Sequence, residues 1–261
     1  NDSRSRDIIE NFTLHLSLPS GFVLITYVYN NMKKNFLALI TLVVTFILVV
    51  IRARRGLMLM SFSLLIFSYI IYQYANKAKV VNIIMSVFIM IFLGYFSVYI
   101  YQAQREETFG LITERFGQRT RNAVEEYFYQ DLKLQDWILG KGINGEYFCP
   151  GVEEGIGRIS IYRKVIETGY LQVILNGGII SWILFLLIAI PAVFKGLFRS
   201  KNVLSKAASI WIISFLLYMY PGTMNSFSLY YMLVWVSIGI CFSDDIIKKD
   251  DEKLKLLFQN T

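Results

Sequence analysis

The feature that most constrains the fold is a hydrophobic run over residues 168–194 that contains no charged side chain. About 20 consecutive apolar residues are enough for an α-helix to cross a bilayer. Further apolar runs cover residues 14–29, 36–51, 57–75, 80–103, 207–220 and 227–242. The chain is 55% hydrophobic and only 17% charged, whereas soluble domains carry about 25% charged residues. We therefore predict an all-α, polytopic membrane helical bundle with about seven spans and a large, partly helical loop on the non-cytoplasmic side.

A long hydrophilic segment divides the predicted spans into two sets. We place spans one to four in residues 1–103 with an arginine turn at 52–56, the loop at 104–167, spans five to seven at 168–243 and a solvated tail at 244–261. Residues 105–134 have a helical pattern, and the glycine-rich residues 140–157 are typical of a loop. The run at 14–29, interrupted by Pro19 and Gly21, is the weakest span. Because the first residue is Asn1 and no signal peptide precedes the first apolar run, we expect a fragment of a longer chain.

Lysines and arginines in short loops predict the orientation, because cytoplasmic loops are enriched in them. The basic residues around 33–34, 77–79 and 195–206, with the tail, fall on one side of a seven-span count, which we assign to the cytoplasm. Arg52, Arg54 and Arg55 then lie on the opposite face together with the 104–167 loop. They are either arginines that snorkel to lipid headgroups or an anion site, since several guanidinium groups suit a pyrophosphate. Arg158 of the loop is a candidate member of the same site.

Two charged residues stand at the start of the 168–194 run. At helical spacing Arg163 and Glu167 are four residues apart, so we expect them to share one helix face. They form either an interfacial salt bridge or a functional pair, because charges at a membrane boundary are costly. Burial raises the pKa of a carboxylate and allows it to accept a proton from an attacking hydroxyl. Arginines stabilise a phosphate leaving group without a metal ion.

Several classes of site are excluded by composition. The single histidine, His15, lies near the weakest span, and Cys149 and Cys241 are far apart in the sequence. These residues form none of the usual zinc or paired-histidine spacings, so we predict neither a metal site nor a cofactor. The net charge of +7 arises mostly from short loops between spans. That pattern indicates membrane topology, and we predict no nucleic-acid partner.

Three stretches resemble one known family. IRARRGLMLMSF is a span that ends in an arginine turn, DWILGKGI contains a tryptophan followed by Gly-x-Gly, and ETGYLQVILNGGIISWILFLL joins an acidic residue, a tyrosine-leucine pair and a glycine to a span. In this order they resemble the C-terminal portion of the O-antigen polymerase and O-antigen ligase superfamily (Wzy-type and WaaL-type proteins). The likeness covers roughly residues 37–194.

The resemblance implies a metal-independent, inverting glycosyltransferase of the bacterial inner membrane. Its expected substrates are an undecaprenyl-pyrophosphate-linked oligosaccharide and a lipid-linked repeat unit, within O-antigen, lipopolysaccharide, capsule or exopolysaccharide synthesis. A chain-length regulator protein and membrane lipid are the other expected partners. Arg54 or Arg55 matches the turn arginine, Arg163 lies on the catalytic face, and Tyr170 either lines a sugar groove or is an interfacial tyrosine. Glu167 occupies the place of the ligases' histidine, which favours a polymerase.

Two alternatives remain open at this point. A ligase would transfer the glycan to the lipid A core. A transporter of lipid-linked oligosaccharides or anions would carry ionisable residues and broken helices at mid-membrane. The centres of the strong spans are almost free of charge, which favours chemistry at the membrane face.

Overall fold

The computed structural model describes residues 12–51, 55–76, 120–150, 161–222 and 228–259. Apart from one two-residue antiparallel ladder, the described elements are helical. The chain divides into two compact units, Asn1–Gln118 and Arg119–Thr261. The predicted all-α class is therefore confirmed for the described part of the chain.

The described residues of the first unit form three helices and two short turns. A π-helical turn, Thr13–Ser17, leads into α1 (Leu18–Ile25), and a 3-10 turn, Tyr27–Tyr29, leads into α2 (Met32–Ile51) and then α3 (Arg55–Ala75). Gly21 of α1 allows a close approach to α3, because a Cβ atom there would lie 2.8 Å from Cδ1 of Leu64. The Asn30 side chain donates to the carbonyls of Val23 and Thr26 at 3.0 and 3.1 Å. These bonds fix the turn before α2.

The second unit contains the remaining helices and the ladder. Its elements are α4 (Thr120–Asp131), α5 (Leu134–Leu139), β1 (Tyr147–Phe148), β2 (Tyr162–Arg163), α6 (Gly169–Phe194), a π-helical turn Lys195–Arg199, α7 (Val203–Tyr218), α8 (Leu229–Phe242), α9 (Asp244–Ile247) and α10 (Asp251–Gln259). Strands β1 and β2 pair antiparallel, with Tyr147 opposite Arg163 and Phe148 opposite Tyr162.

Three helices in the described residues are long and apolar enough to cross a membrane, not the seven that we predicted. They are Met32–Val50, Gly56–Ala75 and Gly169–Arg199. Three other predicted spans form shorter apolar helices, His15–Ile25, Val203–Tyr218 and Leu229–Phe242. The 16 residues of α7 rise only about 24 Å, less than the roughly 30 Å hydrocarbon core. The span predicted at 80–103 lies outside the described residues.

The tail after residue 243 packs on the start of α7, while its charged side chains, such as Asp245, Lys248 and Glu252, stay exposed. The Asn202 side chain donates to the carbonyl oxygens of Ile246 and Lys249 at 2.7 and 2.9 Å. The backbone N–H of Val203 donates to a carboxylate oxygen of Asp251 at 2.8 Å. The buried Asn202 side chain and the Val203 amide therefore both link the tail to the start of α7.

Helix α6 is broken at Gly178, and its two halves have different surroundings. Gly178 has φ 68° and ψ −179°, which is not a helical conformation. Leu171, Ile174 and Leu175 before the break are buried in a protein core. Residues after the break carry exposed apolar side chains, such as Ile183 and Leu187. Residues 179–199 rise about 31 Å, enough for the hydrocarbon core.

The end of α5 fits into this break. The backbone N–H of Lys141 donates to the Leu175 carbonyl at 2.7 Å, and that of Gly142 donates to the Asn176 carbonyl at 3.1 Å. Gly140, with φ 76°, makes the approach possible, because a Cβ atom there would lie 2.5 Å from the amide nitrogen of Gly177. The break therefore leaves neither of these two carbonyls without a donor.

We expect Gly178→Ala to separate α5 from α6. An alanine Cβ would lie 2.0 Å from the Ile138 carbonyl oxygen, and a positive φ disfavours any L side chain. The strained conformation alone costs about 1–3 kcal/mol, and thermal unfolding in detergent should reveal a lower midpoint.

Gly239→Ala is the matched control. Gly239 lies inside α8, and a Cβ atom there meets nothing within 4 Å. Alanine is the better helix former by about 1 kcal/mol, so the midpoint should stay or rise. Equal midpoints for the two variants would contradict the role of Gly178.

Candidate functional site

A compact aromatic core lies at the start of α6. We call the surrounding residues, 120–150 and 161–178, the cap. Phe128 of α4 is fully buried, and its ring contacts those of Tyr147 and Trp137 edge-on, with centroids 5.4 and 5.9 Å apart. Leu171 and Leu175 of α6 complete this core. Because the first half of α6 is part of the core, the cap is built onto the candidate membrane span.

Gln172 fixes the segment that leads from β2 into α6. Its side-chain oxygen accepts a hydrogen bond from the Ile166 amide at 2.8 Å. Its amide group donates to the Lys164 carbonyl at 3.2 Å and to the Asn176 side chain at 3.1 Å. The side chain is 8% exposed, so these bonds form away from water and hold residues 164–166 in place.

The predicted helical relation between Arg163 and Glu167 is wrong. Arg163 belongs to β2 and Glu167 lies in a bend, because α6 begins only at Gly169. The pairing of Arg163 with Tyr147 holds the chain in an extended conformation at this point. Arg163 is partly buried. Glu167 is exposed, so the burial that we expected to favour proton acceptance by a carboxylate here is not observed. The proposed catalytic roles of both residues stay predictions.

Most of the arginines that we predicted to bind a pyrophosphate lie outside the described residues. Arg52, Arg54 and Arg158 lie outside them. Arg55 is the first residue of α3, in the first unit, and its side chain is also outside the description. A joint site of these arginines with Arg163 therefore stays a prediction.

A cluster of polar and phenolic side chains surrounds the start of α6. We call it the rim cluster; its members are Glu125, Tyr129, Thr168, Tyr170 and Tyr220. The Thr168 hydroxyl donates to Oε1 of Glu125. Tyr170 is hydrogen-bonded to Tyr129 and interacts electrostatically with Glu125 and Tyr220. The cluster joins α4, the start of α6 and the end of α7, and it includes the predicted residue Tyr170.

The end of α7 is held directly against the start of α6. The Gly169 amide donates to the Met219 carbonyl at 2.7 Å. A Cβ atom on Gly169 would lie 2.8 Å from the Gly222 carbonyl oxygen, so glycine is needed for this approach. This contact brings Tyr220 to the rim cluster.

An apolar cavity of about 310 Å³ lies among α6, α7 and α8. Val173, Phe185, Phe215, Met219 and Trp235 contribute to its lining. Val173 follows Tyr170 by three residues on α6, and Met219 immediately precedes Tyr220. The polar rim cluster and the apolar cavity are therefore adjacent along two helices. Together they are suited to a ligand with a polar head and a hydrocarbon tail.

In the described residues no group of three or more histidine, cysteine, aspartate or glutamate side chains is placed to hold a metal ion. Comparison of the chain with protein-family models, with curated proteins and with solved structures finds no match. The family resemblance of the three sequence motifs stays a prediction.

Tyr170 is the member of the rim cluster that the sequence analysis predicted; Gln172 and the other four members, Glu125, Tyr129, Thr168 and Tyr220, escaped it. The partner of Glu125, Thr168, is 43 residues away in the sequence. Gln172 bonds to residues four to eight positions away, two of them across the bend that precedes α6. The available signal was weak: Glu125 and Tyr129 are four residues apart in a helical pattern and so share a face. Nothing in that pattern indicated which element this face would contact.

We expect Gln172→Leu to release the segment before α6. Leucine has a similar size but leaves the buried Ile166 amide without its acceptor, which costs about 1–3 kcal/mol. Hydrogen–deuterium exchange of a peptide covering residues 161–171 should become faster. The control is Gln130→Leu on the exposed face of α4, where the amide makes one 3.4 Å contact with Glu126. Unchanged exchange in Gln172→Leu would contradict the role of Gln172.

Proposed function

We propose that this protein is a membrane glycosyltransferase that polymerises a lipid-linked glycan. The observation that carries the proposal is the adjacency of the rim cluster, which offers a carboxylate and phenols, and the apolar cavity of α6, α7 and α8. A substrate with a sugar head and a hydrocarbon tail matches both parts. The three motifs that resemble O-antigen polymerases add support, and two of them, GKG and LNGG, form the contact between α5 and the break in α6.

In the proposed reaction, a hydroxyl of the lipid-linked repeat unit attacks the anomeric carbon of the glycan on undecaprenyl pyrophosphate. A new carbon–oxygen bond forms, and the bond between the anomeric carbon and the diphosphate oxygen breaks with inversion. The leaving diphosphate keeps the electron pair, and Glu167 accepts the proton of the hydroxyl. Arg163, with Arg52, Arg54, Arg55 and Arg158, stabilises the diphosphate charge. The reaction needs no metal ion or cofactor.

The proposed setting is the bacterial inner membrane with the cap in the periplasm. Lipid-linked repeat units would reach the cap from the outer leaflet, and a chain-length regulator protein is the expected protein partner. The polymer is an O-antigen, a capsule or an exopolysaccharide. In a ligase the acceptor would be the lipid A core instead. The presence of Glu167 rather than histidine favours the polymerase.

The break in α6 is a feature that transporters also use. In a transporter, backbone carbonyls freed by a broken helix coordinate an ion. Here the Leu175 and Asn176 carbonyls accept hydrogen bonds from Lys141 and Gly142. The break is therefore used for docking α5, which favours an enzyme over a transporter.

We expect Glu167→Gln to abolish chain extension while the protein still folds. The side chain is exposed, and substitutions at such positions usually change stability by less than about 0.5 kcal/mol. Loss of a general base lowers turnover by about 10²–10⁴-fold. The measurement is the length distribution of glycans made by protein reconstituted with lipid-linked repeat units. Glu146→Gln, an exposed carboxylate of the same cap, is the control. Wild-type chain lengths in Glu167→Gln would exclude Glu167 as the base.

Cysteine labelling tests the periplasmic location of the cap. Cys149 and Cys241 are buried, so the native chain should react little with a membrane-impermeant maleimide. Tyr162→Cys, in the cap before α6, should be labelled in intact cells. Lys201→Cys, after the end of α6, should be labelled only in permeabilised cells. The opposite pattern would place the cap in the cytoplasm, where the proposed reaction cannot meet periplasmic glycan.

A further inference from the structure

We propose that Glu125 and Tyr129 of the rim cluster form a binding site for the sugar rings of the glycan. The inference rests on the proposed function, and it adds a recognition site that is separate from the proton acceptor Glu167. The ligand class is a neutral oligosaccharide, bound through its hydroxyl groups and the apolar face of a sugar ring.

Glu125 is held in a fixed position as a hydrogen-bond acceptor. It is partly buried, and its Oε1 accepts a bond from the Thr168 hydroxyl, which is itself buried. Thr168 is the residue directly before α6, so the carboxylate is anchored to the first turn of the candidate span. A carboxylate has two acceptor oxygens, so Oε2 can accept a bond from a ligand hydroxyl while Oε1 bonds to Thr168. A hydrogen bond to an ionised acceptor is about twice as strong as one between neutral groups.

Tyr129 supplies an aromatic surface beside this carboxylate. It follows Glu125 by one helical turn on α4, so both side chains lie on the same face. The Tyr129 ring is 46% exposed, and it lies nearly parallel to Trp137, with 4° between the planes and 5.9 Å between the centroids. Exposed aromatic rings next to hydrogen-bonding groups suit a sugar, because one side of a pyranose ring presents C–H groups and its edge presents hydroxyls.

The charge of the cluster selects the sugar part of a lipid-linked substrate. A diphosphate placed next to Glu125 would be repelled by its carboxylate, because the members of the rim cluster include no cationic side chain. The hydroxyls of Tyr170 and Tyr220 can donate to or accept from neutral sugar hydroxyls. The rim cluster therefore suits the sugar part of the substrate and not its diphosphate.

The experiment measures glycan binding and chain extension separately. The probe is the repeat-unit oligosaccharide released by mild acid from the host's lipid-linked intermediates. The probe is titrated against the full chain in lipid nanodiscs, and saturation-transfer NMR gives the dissociation constant. The variants are Glu125→Gln and Tyr129→Ala. The matched controls are Glu126→Gln, an exposed carboxylate next to Glu125, and Tyr129→Phe, which keeps the ring. Spermidine is titrated as a cationic competitor.

We expect Glu125→Gln and Tyr129→Ala to weaken oligosaccharide binding by about ten-fold or more, while Glu126→Gln and Tyr129→Phe bind within about two-fold of the native chain. Glu167→Gln should bind normally and fail only in chain extension. The inference would be overturned if Glu125→Gln and Tyr129→Ala bound the oligosaccharide like the native chain, or if the native chain did not bind it. Spermidine that displaces the sugar from the variants as well as from the native chain would also overturn it. A native chain that binds the oligosaccharide through these residues but extends no glycan would instead overturn the proposed function.

Discussion

The second unit depends on the hydrogen bonding of the backbone at the break in α6. A carbonyl buried in apolar surroundings without a donor costs several kcal/mol, by an order-of-magnitude estimate. The break at Gly178 is tolerated because Lys141 and Gly142 donate to the Leu175 and Asn176 carbonyls. Two glycines with positive φ, Gly140 and Gly178, allow the two backbones to approach closely enough for these bonds. The docking of α5 and the break in α6 therefore require each other.

This coupling determines where the cap sits along α6. The buried half of the helix, before Gly178, belongs to the aromatic core of the cap, and the half after it carries exposed apolar side chains. Gln172, six residues before the break, connects the same half to residues 164–166 and to Asn176. The Gly169 contact with Met219 adds the end of α7. The position of the rim cluster thus follows from packing in the first half of α6.

Hydrophobic runs predicted the long helices well. The runs at 36–51, 57–75 and 168–194 correspond to the three helices that are long enough to cross a bilayer. The runs at 207–220 and 227–242 are also helical, but composition alone does not show that these helices are too short to cross a bilayer. The ladder, which overturned the helical pairing of Arg163 with Glu167, involves only two residues on each strand. Such short strands leave no periodic pattern in a sequence.

The site was harder to predict than the spans because its contacts connect distant residues. The glycines of GKG indicated a loop and those of LNGG lay within a predicted span, yet the two motifs meet in a backbone contact. Glu125 resembled any other surface carboxylate of an amphipathic helix until Thr168 was found beside it. Sequence analysis finds a residue whose chemistry is unusual in its surroundings, such as a charge at the edge of a span. It misses a residue whose surroundings are created by the fold.

The two carboxylates at the start of α6 differ in ways that suit different tasks. Glu167 is exposed in a bend, where a carboxylate can exchange a proton with solvent after each reaction cycle. Glu125 is partly buried and fixed by Thr168, which suits an acceptor that must hold one geometry. A polymerase must repeat the same transfer many times on a growing chain. If one residue binds the glycan and another accepts the proton, the glycan can stay bound while Glu167 releases its proton to solvent.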